Sequence, residues 1–142
     1  MVARATKPVP VPTPTTQPFW SGTAAHELRV QRCAECRAAV FYPRVRCPRC
    51  GAFDLGWETV SGRATLYSYI VNHSPAPGFA SDVPYVVAVV ELAEGPRLLS
   101  NLLDVEPDPD QLELGMPLEV VFVERDGVTL PMFRPSAAEE SR

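Results

Sequence analysis

The sequence predicts a mainly β protein in which a short helix and a small metal-crosslinked unit precede a closed barrel. Three observations support this fold class. All four cysteines cluster near the front of the 142-residue chain, short apolar β segments separated by Gly and Pro follow from residue 57 onward, and no long helical period lies between them. About 118 residues lie between the polar ends, enough for one small hydrophobic core but not for two. A second folded unit therefore needs a crosslink.

Both ends of the chain are predicted to lie outside the folded units. Residues 1–17 carry a proline at every second position from 8 to 14, which predicts an extended, largely disordered Pro-rich arm. Residues 136–142 are polar and predict a flexible tail. The same prolines interrupt the apolar stretch of a secretory signal, and no run approaches the ~18 apolar residues of a membrane-spanning helix. We therefore expect a cytoplasmic location.

A short helix is predicted over residues 18–28, directly before the cysteines. Phe19 and Thr23 would share one helix face, although Gly22 lowers the helix propensity. Phe19 and Trp20 are expected to anchor the helix on the folded unit. The alternative is that they present an apolar surface to a partner.

The four cysteines form two CxxC pairs separated by ten residues: Cys33 and Cys36, then Cys47 and Cys50. Two such pairs can supply the four thiolates of a tetrahedral site, so they predict one structural zinc ion, with iron in the same cage as the minority alternative. Disulfides are disfavoured because nothing indicates secretion, and a redox-active CxxC because no βαβ pattern accompanies it. Four unrelated buried thiols are the remaining alternative.

The residues around the cysteines predict a zinc ribbon with two unequal knuckles. Gly51 follows the second CxxC pair, where a left-handed residue completes the turn. Arg37 occupies that place after the first pair, so the first knuckle is expected to be strained or to close differently. Between the pairs, an apolar segment over residues 39–42 followed by Pro43 predicts a short hairpin.

The remainder of the folded chain predicts a β-barrel. The segments over 57–60 and 64–72 are interpreted as one long strand bent by a bulge at Gly62, and Asp126-Gly127 predicts a tight hairpin. One helical turn is expected in the loop over 104–115. Five strands without a long helix favour a small closed barrel of the OB type. The predicted segments are 57–60, 64–72, 85–92, 97–103, 118–124 and 128–133, which divides the chain into a helix and ribbon over 18–55 and a barrel over 56–135.

Charge is distributed unevenly along the chain. The net charge is -4, yet six arginines and one acid lie between residues 29 and 50, whereas eleven acids lie between residues 82 and 126. Guanidinium groups suit phosphate and carboxylate recognition. Four arginines are predicted to lie on one side of the ribbon and to face a partner or a phosphate: Arg32, Arg44, Arg46 and Arg49. The alternative is an ordinary solvated face.

Taken in order, these segments resemble a known family. The residues that carry the resemblance are PFW, LRVQRC, FYPR, CPRCG, WETVSGRATLYSY, VPYVVAVVEL, RLLSNL, LGMPLEVVF and FRP. Over residues 18–135 they resemble acyl-CoA-associated proteins that join a rubredoxin-like zinc ribbon to a C-terminal OB-fold. Two positions depart from the family pattern, because His26 and Arg37 stand where the family usually has glycine.

The resemblance implies a non-catalytic subunit of an acyl-CoA-processing enzyme. Such proteins bind thiolase-superfamily enzymes, including lipid-transfer-protein-type aldolases, in lipid or sterol side-chain metabolism, and help to shape the partner's acyl-CoA site. The resemblance therefore implies a hetero-oligomer with one zinc per chain and a coenzyme A thioester shared with the partner. The four arginines, His73 and Phe79 would contact the partner or the coenzyme A. The alternative partner is a hotdog-fold enoyl-CoA hydratase.

The residue inventory agrees with the absence of a catalytic centre. The chain has two histidines, His26 and His73, and no nucleophile elbow or phosphate-binding Gly-rich loop. His73 is interpreted as a structural cap at a strand end in preference to a ligand contact. Tyr67, Tyr69 and Tyr85 are interpreted as packing residues.

Two other function classes compete with the subunit interpretation. Zinc ribbons and OB-folds both bind nucleic acids, but a sequence pI near 5.2 and the acidic second half argue against a positive groove for the backbone. A stand-alone acyl-CoA hydrolase or hydratase lacks candidate acid and base residues.

Overall fold

The structure is mainly β, as the sequence predicts. A computed structural model describes residues 7–136, so the first six residues of the predicted arm and residues 137–142 of the predicted tail lie outside the described residues. The elements in chain order are α1 Gln17–Ala24, β1 Leu28–Cys33, β2 Ala39–Val40, β3 Leu55–Val60, β4 Arg63–Asn72, β5 Tyr85–Leu92, β6 Arg97–Leu102, a 3₁₀ turn Pro109–Gln111, β7 Pro117–Arg125 and β8 Val128–Pro135. No helix within residues 7–136 has the length and apolar character needed to cross a membrane.

The helix α1 is shorter than the helix predicted over 18–28. The amide of His26 donates to the carbonyl of Thr23 at 2.9 Å, and the amide of Glu27 donates to the carbonyl of Gly22 at 2.8 Å. These two hydrogen bonds form a Schellman motif, in which His26 takes the left-handed position with φ 60°. The helix therefore stops before the chain turns into β1.

The central strand of the first sheet, β1, was not predicted from the sequence. It pairs antiparallel with β2 on one side and with β3 on the other. Its two-residue alternation is broken by Gln31, a polar residue that is only 4% exposed. The side chain of Gln31 receives a hydrogen bond from the Arg44 amide at 2.8 Å and donates one to the Arg44 carbonyl at 2.9 Å. This pair of bonds satisfies the buried amide and fixes the loop after β2.

The prediction of one long strand bent at Gly62 is wrong, because β3 and β4 belong to different sheets. β3 pairs with β1, whereas β4 pairs with β5 and β7. Gly62 has φ +82°, and a Cβ there would lie 2.5 Å from Cγ1 of Val120. A bulge does occur, but within β4, between Leu66 and Ser68. The turn at Gly62 thus passes the chain from the ribbon to the barrel.

The second sheet is the predicted five-stranded closed barrel, with strand order β4-β5-β6-β8-β7. All its neighbours are antiparallel except β6 and β8, which are parallel and share a single paired position, Leu102 with Phe133. β5 alternates strictly, and its inward residues are buried: Val86, Ala88, Val90 and Leu92.

Two predicted connections are confirmed. Asp126 and Gly127 link β7 to β8 with φ values of 50° and 85°, as a two-residue type I′ hairpin requires. The 3₁₀ turn lies in the loop for which one helical turn was predicted, and the Asp108 carboxylate accepts a hydrogen bond from the amide of Asp110 at 3.0 Å.

One hydrophobic core spans the barrel and the front of the chain. Phe19, Leu28 and Val30 belong to the same buried cluster as Leu66 and Phe133. A second, much smaller cluster is built around Cys33, Val40 and Cys47. The end of the ribbon that carries the cysteines therefore has almost no hydrophobic core of its own.

Candidate metal centre and the surface around it

The four cysteine sulfurs converge at the end of the ribbon that is remote from the barrel core. All four Sγ atoms lie within 4.8 Å of one another. Sγ of Cys33 is 3.6 Å from Sγ of Cys50, and Sγ of Cys36 is 3.7 Å from Sγ of Cys47. A tetrahedral site with Zn–S bonds of about 2.3 Å has sulfur–sulfur edges of about 3.8 Å. The donor set and its spacing therefore fit zinc.

The two knuckles close with the same hydrogen bond, and the first is strained at its left-handed residue, which is one of the two predicted outcomes. The amide of Arg37 donates to the Cys33 carbonyl at 2.9 Å, and the amide of Gly51 donates to the Cys47 carbonyl at the same distance. Arg37 has φ 68° and Gly51 has φ 82°. The first knuckle therefore adopts the left-handed turn without a glycine, at a backbone cost that the second knuckle avoids.

The environment of the sulfurs favours thiolates at some positions and opposes them at others. The backbone hydrogen bond from Cys50, with a further one from Arg49, lowers the pKa of Cys47 to about 6. The pKa of Cys50 rises to about 12 despite a favourable backbone hydrogen bond from Ala52, because burial and the other three thiols oppose its ionisation. Four thiolates this close together need a cation between them.

The arginines predicted to share one exposed face have different roles. Arg32 is half-buried, donates to Glu58 at 2.6 Å and to the Arg37 carbonyl at 2.8 Å, and so joins β1 to β3. The hydrogen bond with Arg32 lowers the pKa of the Glu58 carboxyl. The guanidinium of Arg32 is therefore already paired within the ribbon.

The other three arginines are exposed. Arg46 donates from Nε to the Gly51 carbonyl at 2.9 Å and lies over the Phe53 ring at 4.9 Å, so it braces the second knuckle. The side chains of Arg44 and Arg49 make no hydrogen bond or ion pair within residues 7–136. These two keep their guanidinium donors available for a partner.

His73 and Phe79 lie in the loop between β4 and β5. His73 is exposed and makes no hydrogen bond with any described residue, so the interpretation as a strand-end cap is wrong; the Asn72 carboxamide takes that role by accepting from the Ser74 amide at 3.2 Å. Phe79 is half-buried and lies 5.3 Å from Nζ of Lys7 and 5.5 Å from the guanidinium of Arg125.

The three tyrosines have separate environments. Tyr69 packs against the main core, and the Tyr85 hydroxyl accepts a hydrogen bond from Asn72 at 2.8 Å, so packing is confirmed for Tyr69. Tyr67 instead is 47% exposed, with the guanidinium of Arg97 3.8 Å above its ring.

A concave apolar site that the sequence analysis missed lies where β6 and β8 diverge. This seam pocket has a volume of about 360 Å³ and is bounded by α1, the segment after β2, β6, β8 and the end of β7. Its lining includes Trp20, Tyr42, Leu99, Asn101, Arg125 and Met132. No motif signals it, because its residues come from five separate segments. Phe19 also lines the pocket, and its buried side chain anchors α1 as predicted.

Two family models match adjoining parts of the chain. Residues 20–56 match the model described as the ChsH2 rubredoxin-like zinc ribbon domain. Residues 57–123 match the model described as the ChsH2 C-terminal OB-fold domain. The four cysteines thus form the metal site of a zinc ribbon.

Several curated proteins are similar to this chain. A probable enoyl-CoA hydratase alpha subunit of Thermomonospora curvata is 46% identical over 126 residues, covering 86% of this chain and 38% of that protein. The 3-oxo-4,17-pregnadiene-20-carboxyl-CoA hydratase alpha subunit of Mycobacterium tuberculosis is 35% identical, covering 82% of this chain and 36% of that protein. A DUF35 domain-containing scaffold protein of Methanothermobacter thermautotrophicus is 38% identical, covering 68% of this chain and 72% of that protein.

The chain thus spans little more than a third of the two hydratase alpha subunits that it matches. Among solved structures, a chain of the Ltp2-ChsH2(DUF35) aldolase is similar over nearly its whole length. It superposes with a TM-score of 0.78 at 39% identity, covering 89% of this chain and 98% of that one.

Proposed function

This chain belongs to the ChsH2 (DUF35) family of zinc-ribbon and OB-fold proteins, and on that premise we propose that it is a non-catalytic subunit of an acyl-CoA-processing enzyme, with a thiolase-superfamily aldolase as its partner. One observation carries this proposal. The chain matches 98% of the ChsH2 (DUF35) chain in the Ltp2-ChsH2 aldolase at 39% identity. A match over the whole of one subunit supports an equivalent place in a two-component enzyme.

The chemistry of the described residues supports an accessory role. The four cysteines are drawn together as one potential metal site, so no thiol remains for nucleophilic catalysis. His73 is exposed and has no carboxylate orienting it among residues 7–136, which is a poor arrangement for a general base. In this proposal the partner performs the reaction, and this chain contributes binding surface and helps to shape the acyl-CoA site.

Zinc has a structural role in this proposal. Cys33, Cys36, Cys47 and Cys50 hold one Zn²⁺ per chain, and the ion replaces the hydrophobic core that the end of the ribbon lacks. Because four protein thiolates complete the coordination, no position remains for water or substrate. The ribbon then presents Arg44 and Arg49 on a rigid scaffold.

A hydratase partner is the second candidate, and a specific observation favours it. The two hydratase alpha subunits are 46% and 35% identical to this chain over their matching parts. The second is named as a subunit of a 3-oxo-4,17-pregnadiene-20-carboxyl-CoA hydratase. The matched part is only 38% and 36% of those proteins. The rest of each protein therefore lies outside the likeness.

Co-expression tests which partner is correct. This chain is produced with a tagged Ltp2-type aldolase from the same organism and, separately, with a tagged hotdog-fold hydratase. We expect a stable complex with the aldolase after size-exclusion chromatography, and acyl-CoA turnover by the aldolase that depends on this chain. A complex with the hydratase alone would favour the second candidate. A monomer with neither enzyme, or acyl-CoA turnover by the isolated chain, would contradict the proposal.

A further inference from the structure

We propose that the seam pocket binds the apolar part of an acyl compound, with Tyr42 and Arg125 recognising an oxygen-bearing end of the same ligand. The proposal deepens the proposed function and rests on it for the choice of an acyl compound. The pocket itself, its lining and its free polar groups are properties of this chain alone.

The pocket exists because the barrel closes between β6 and β8 through very few main-chain contacts. β6 and β8 share one paired position, Leu102 with Phe133, and the amide of Leu103 donates to the Phe133 carbonyl at 2.7 Å. Beyond that point β8 carries Pro131, which has no N–H to continue the ladder. The Ser100 hydroxyl donates to the Pro131 carbonyl at 2.8 Å instead. The two strands therefore remain connected but leave a gap between their main chains.

Rigid aromatic side chains form one wall of this gap. The rings of Phe19 and Trp20 meet edge to face with centroids 4.8 Å apart, and Phe41 lies 5.3 Å from Phe19 and 4.5 Å from Tyr42. Leu99, which is 59% exposed, lines the pocket from β6. A volume of about 360 Å³ lies within the range of small-molecule sites, and apolar walls with few polar groups are typical of them.

Tyr42 supplies a hydrogen-bond donor to the pocket. Its hydroxyl oxygen accepts the amide of Leu99 at 3.0 Å, so this N–H at the open edge of β6 is satisfied. A tyrosine hydroxyl can donate as well as accept. No described residue is in position to accept the hydrogen of Tyr42, which leaves it for an oxygen of a ligand.

Arg125, at the end of β7, supplies a positive charge to the lining of the pocket. It is half-buried, forms no ion pair among the described residues, and has the Phe79 ring as its stacking partner at 5.5 Å. It also lines an adjoining cavity of about 520 Å³ together with Lys7, Phe79 and Asp82. Lys7 is already paired with Asp82 at 2.5 Å. Arg125 is therefore the cation that remains available where the two cavities meet.

These groups select a chemical class. Apolar walls favour an aliphatic chain or a fused ring system, the Tyr42 hydroxyl favours a carbonyl oxygen, and the Arg125 guanidinium favours an anion and opposes a cation. An acyl chain that ends in a carboxylate offers an apolar body, a carbonyl oxygen and a negative charge, and so suits all three groups. A positively charged amphiphile of the same length offers only the apolar body.

Methyl NMR on the isolated chain tests the pocket without a partner. The protein carries ¹³C-methyl methionine, and decanoate is the probe, with decyltrimethylammonium as the matched cation. We expect decanoate to show NOEs to the methyl group of Met132 and not to that of Met116, with a Kd of about 2 mM, as the usual affinity gain per heavy atom predicts for a ligand of this size. Decyltrimethylammonium is expected to bind at least tenfold more weakly.

Three variants assign the interaction to named side chains. Leu99→Glu places a carboxylate on an exposed wall and should abolish decanoate binding, whereas Leu114→Glu, at a site that is 63% exposed and outside the pocket, should leave it unchanged. Arg125→Gln should weaken binding at least fivefold while Arg44→Gln does not. Tyr42→Phe should weaken binding by a smaller factor, and unchanged amide spectra of the barrel would show that the fold is intact.

The outcomes separate this proposal from the proposed function. Equal binding of the two amphiphiles, NOEs to Met116, or no effect of Leu99→Glu would overturn the pocket proposal, and the partner complex would be unaffected. If decanoate does not bind but Leu99→Glu prevents assembly with the aldolase, the pocket is a protein-docking surface and the acyl proposal is wrong.

Discussion

Four of the described residues with side chains have a positive φ, a backbone conformation that normally favours glycine. His26 and Arg37 have φ values of 60° and 68°, and both stand where related proteins were expected to carry glycine. The ring of His26 stacks on Phe122 at 5.1 Å, which offsets part of its backbone cost. The side chain of Arg37 makes no such contact within residues 7–136, where Arg37 forms hydrogen bonds through its main chain alone, from its amide to the Cys33 carbonyl and from Arg32 to its carbonyl.

Replacement of Arg37 by glycine should therefore stabilise the first knuckle. The left-handed conformation costs a residue with a side chain about 1–2 kcal/mol, and the extra entropy of glycine in the unfolded chain returns about half of this. We expect Arg37→Gly to raise the free energy of unfolding of the zinc-loaded protein by about 0.5–1 kcal/mol, measured by urea denaturation. Gly51→Ala, the matched change in the second knuckle, should lower it by about 1 kcal/mol. Equal effects of the two changes would contradict the left-handed geometry.

The Arg32–Glu58 pair should make a small, pH-dependent contribution to stability. The Arg32 hydrogen bond holds the pKa of the folded Glu58 carboxyl below its usual 4.5. Because the pKa of Glu58 is lower in the folded state than in the unfolded state, the ion pair contributes its full stabilisation only above the unfolded pKa of about 4.5. This contribution is lost as the pH falls through the pKa of the folded state. Both side chains are more than a third exposed, so solvent screening limits this to about 0.5 kcal/mol.

Carboxyl NMR titration measures this directly. The Glu58 carboxyl should titrate below its ordinary value in the parent protein and return to it in Arg32→Gln. Arg134→Gln, which removes a different arginine partner from Glu119, is the control and should not change Glu58. A Glu58 titration that is the same with and without Arg32 would show that the pair does not form in solution.

At the scale of elements, we expect the ribbon to depend on its metal and the barrel to be independent of it. The cysteine cluster contains three buried residues, whereas β1 contributes Leu28 and Val30 to the main core. Metal binding in small zinc domains supplies on the order of 10 kcal/mol. Removal of zinc should therefore unfold the cysteine end of the ribbon before β1, β3 and the barrel.

Hydrogen exchange with a chelator present tests this order. Amides over residues 33–54 should lose protection first, while those of β5 and the front half of β1 remain protected. Metal analysis of reduced protein should give one zinc per chain. Loss of protection throughout the molecule in a single step, or protein that contains neither zinc nor iron, would contradict the prediction.

The exposed arginines of the ribbon give a second test at this scale. Arg44 and Arg49 have no internal partner among the described residues, unlike Arg32 and Arg46. If they contact the partner enzyme or coenzyme A phosphates, the Arg44→Glu, Arg49→Glu double variant should weaken association by about 1–3 kcal/mol and reduce its salt dependence. Arg63→Glu, an exposed arginine on the barrel, is the control. Equal affinity and salt slope in all three proteins would support a solvated face.

At the scale of the whole molecule, the central prediction is that catalysis belongs to the partner. His73→Ala in the assembled complex should change the turnover rate less than about tenfold, because loss of a general acid or base costs about 10²- to 10⁴-fold. Zinc content and complex mass are measured on the same sample. A rate loss of 10² or more with the complex and zinc intact would identify His73 as a catalytic residue.

The sequence by itself determined the local features of this protein. An apolar run of strand length placed β5 at Tyr85–Leu92, Asp126-Gly127 placed the last hairpin, and the CxxC spacing predicted the cysteine cluster. Each of these features depends on residues that are only a few positions apart in the chain. Covalent geometry over that distance limits the side-chain period of a strand, the conformation of a turn and the distance between two cysteine ligands.

Only the tertiary structure decided which distant segments meet. It assigned β3 to β1 rather than to the barrel, because a left-handed Gly62 packed against Val120 turns the chain between sheets. It also paired Arg32 with Glu58, and it assembled the seam pocket from Trp20, Tyr42, Leu99 and Arg125. These contacts depend on how the barrel closes around one shared core, and no period or motif along the chain encodes that closure.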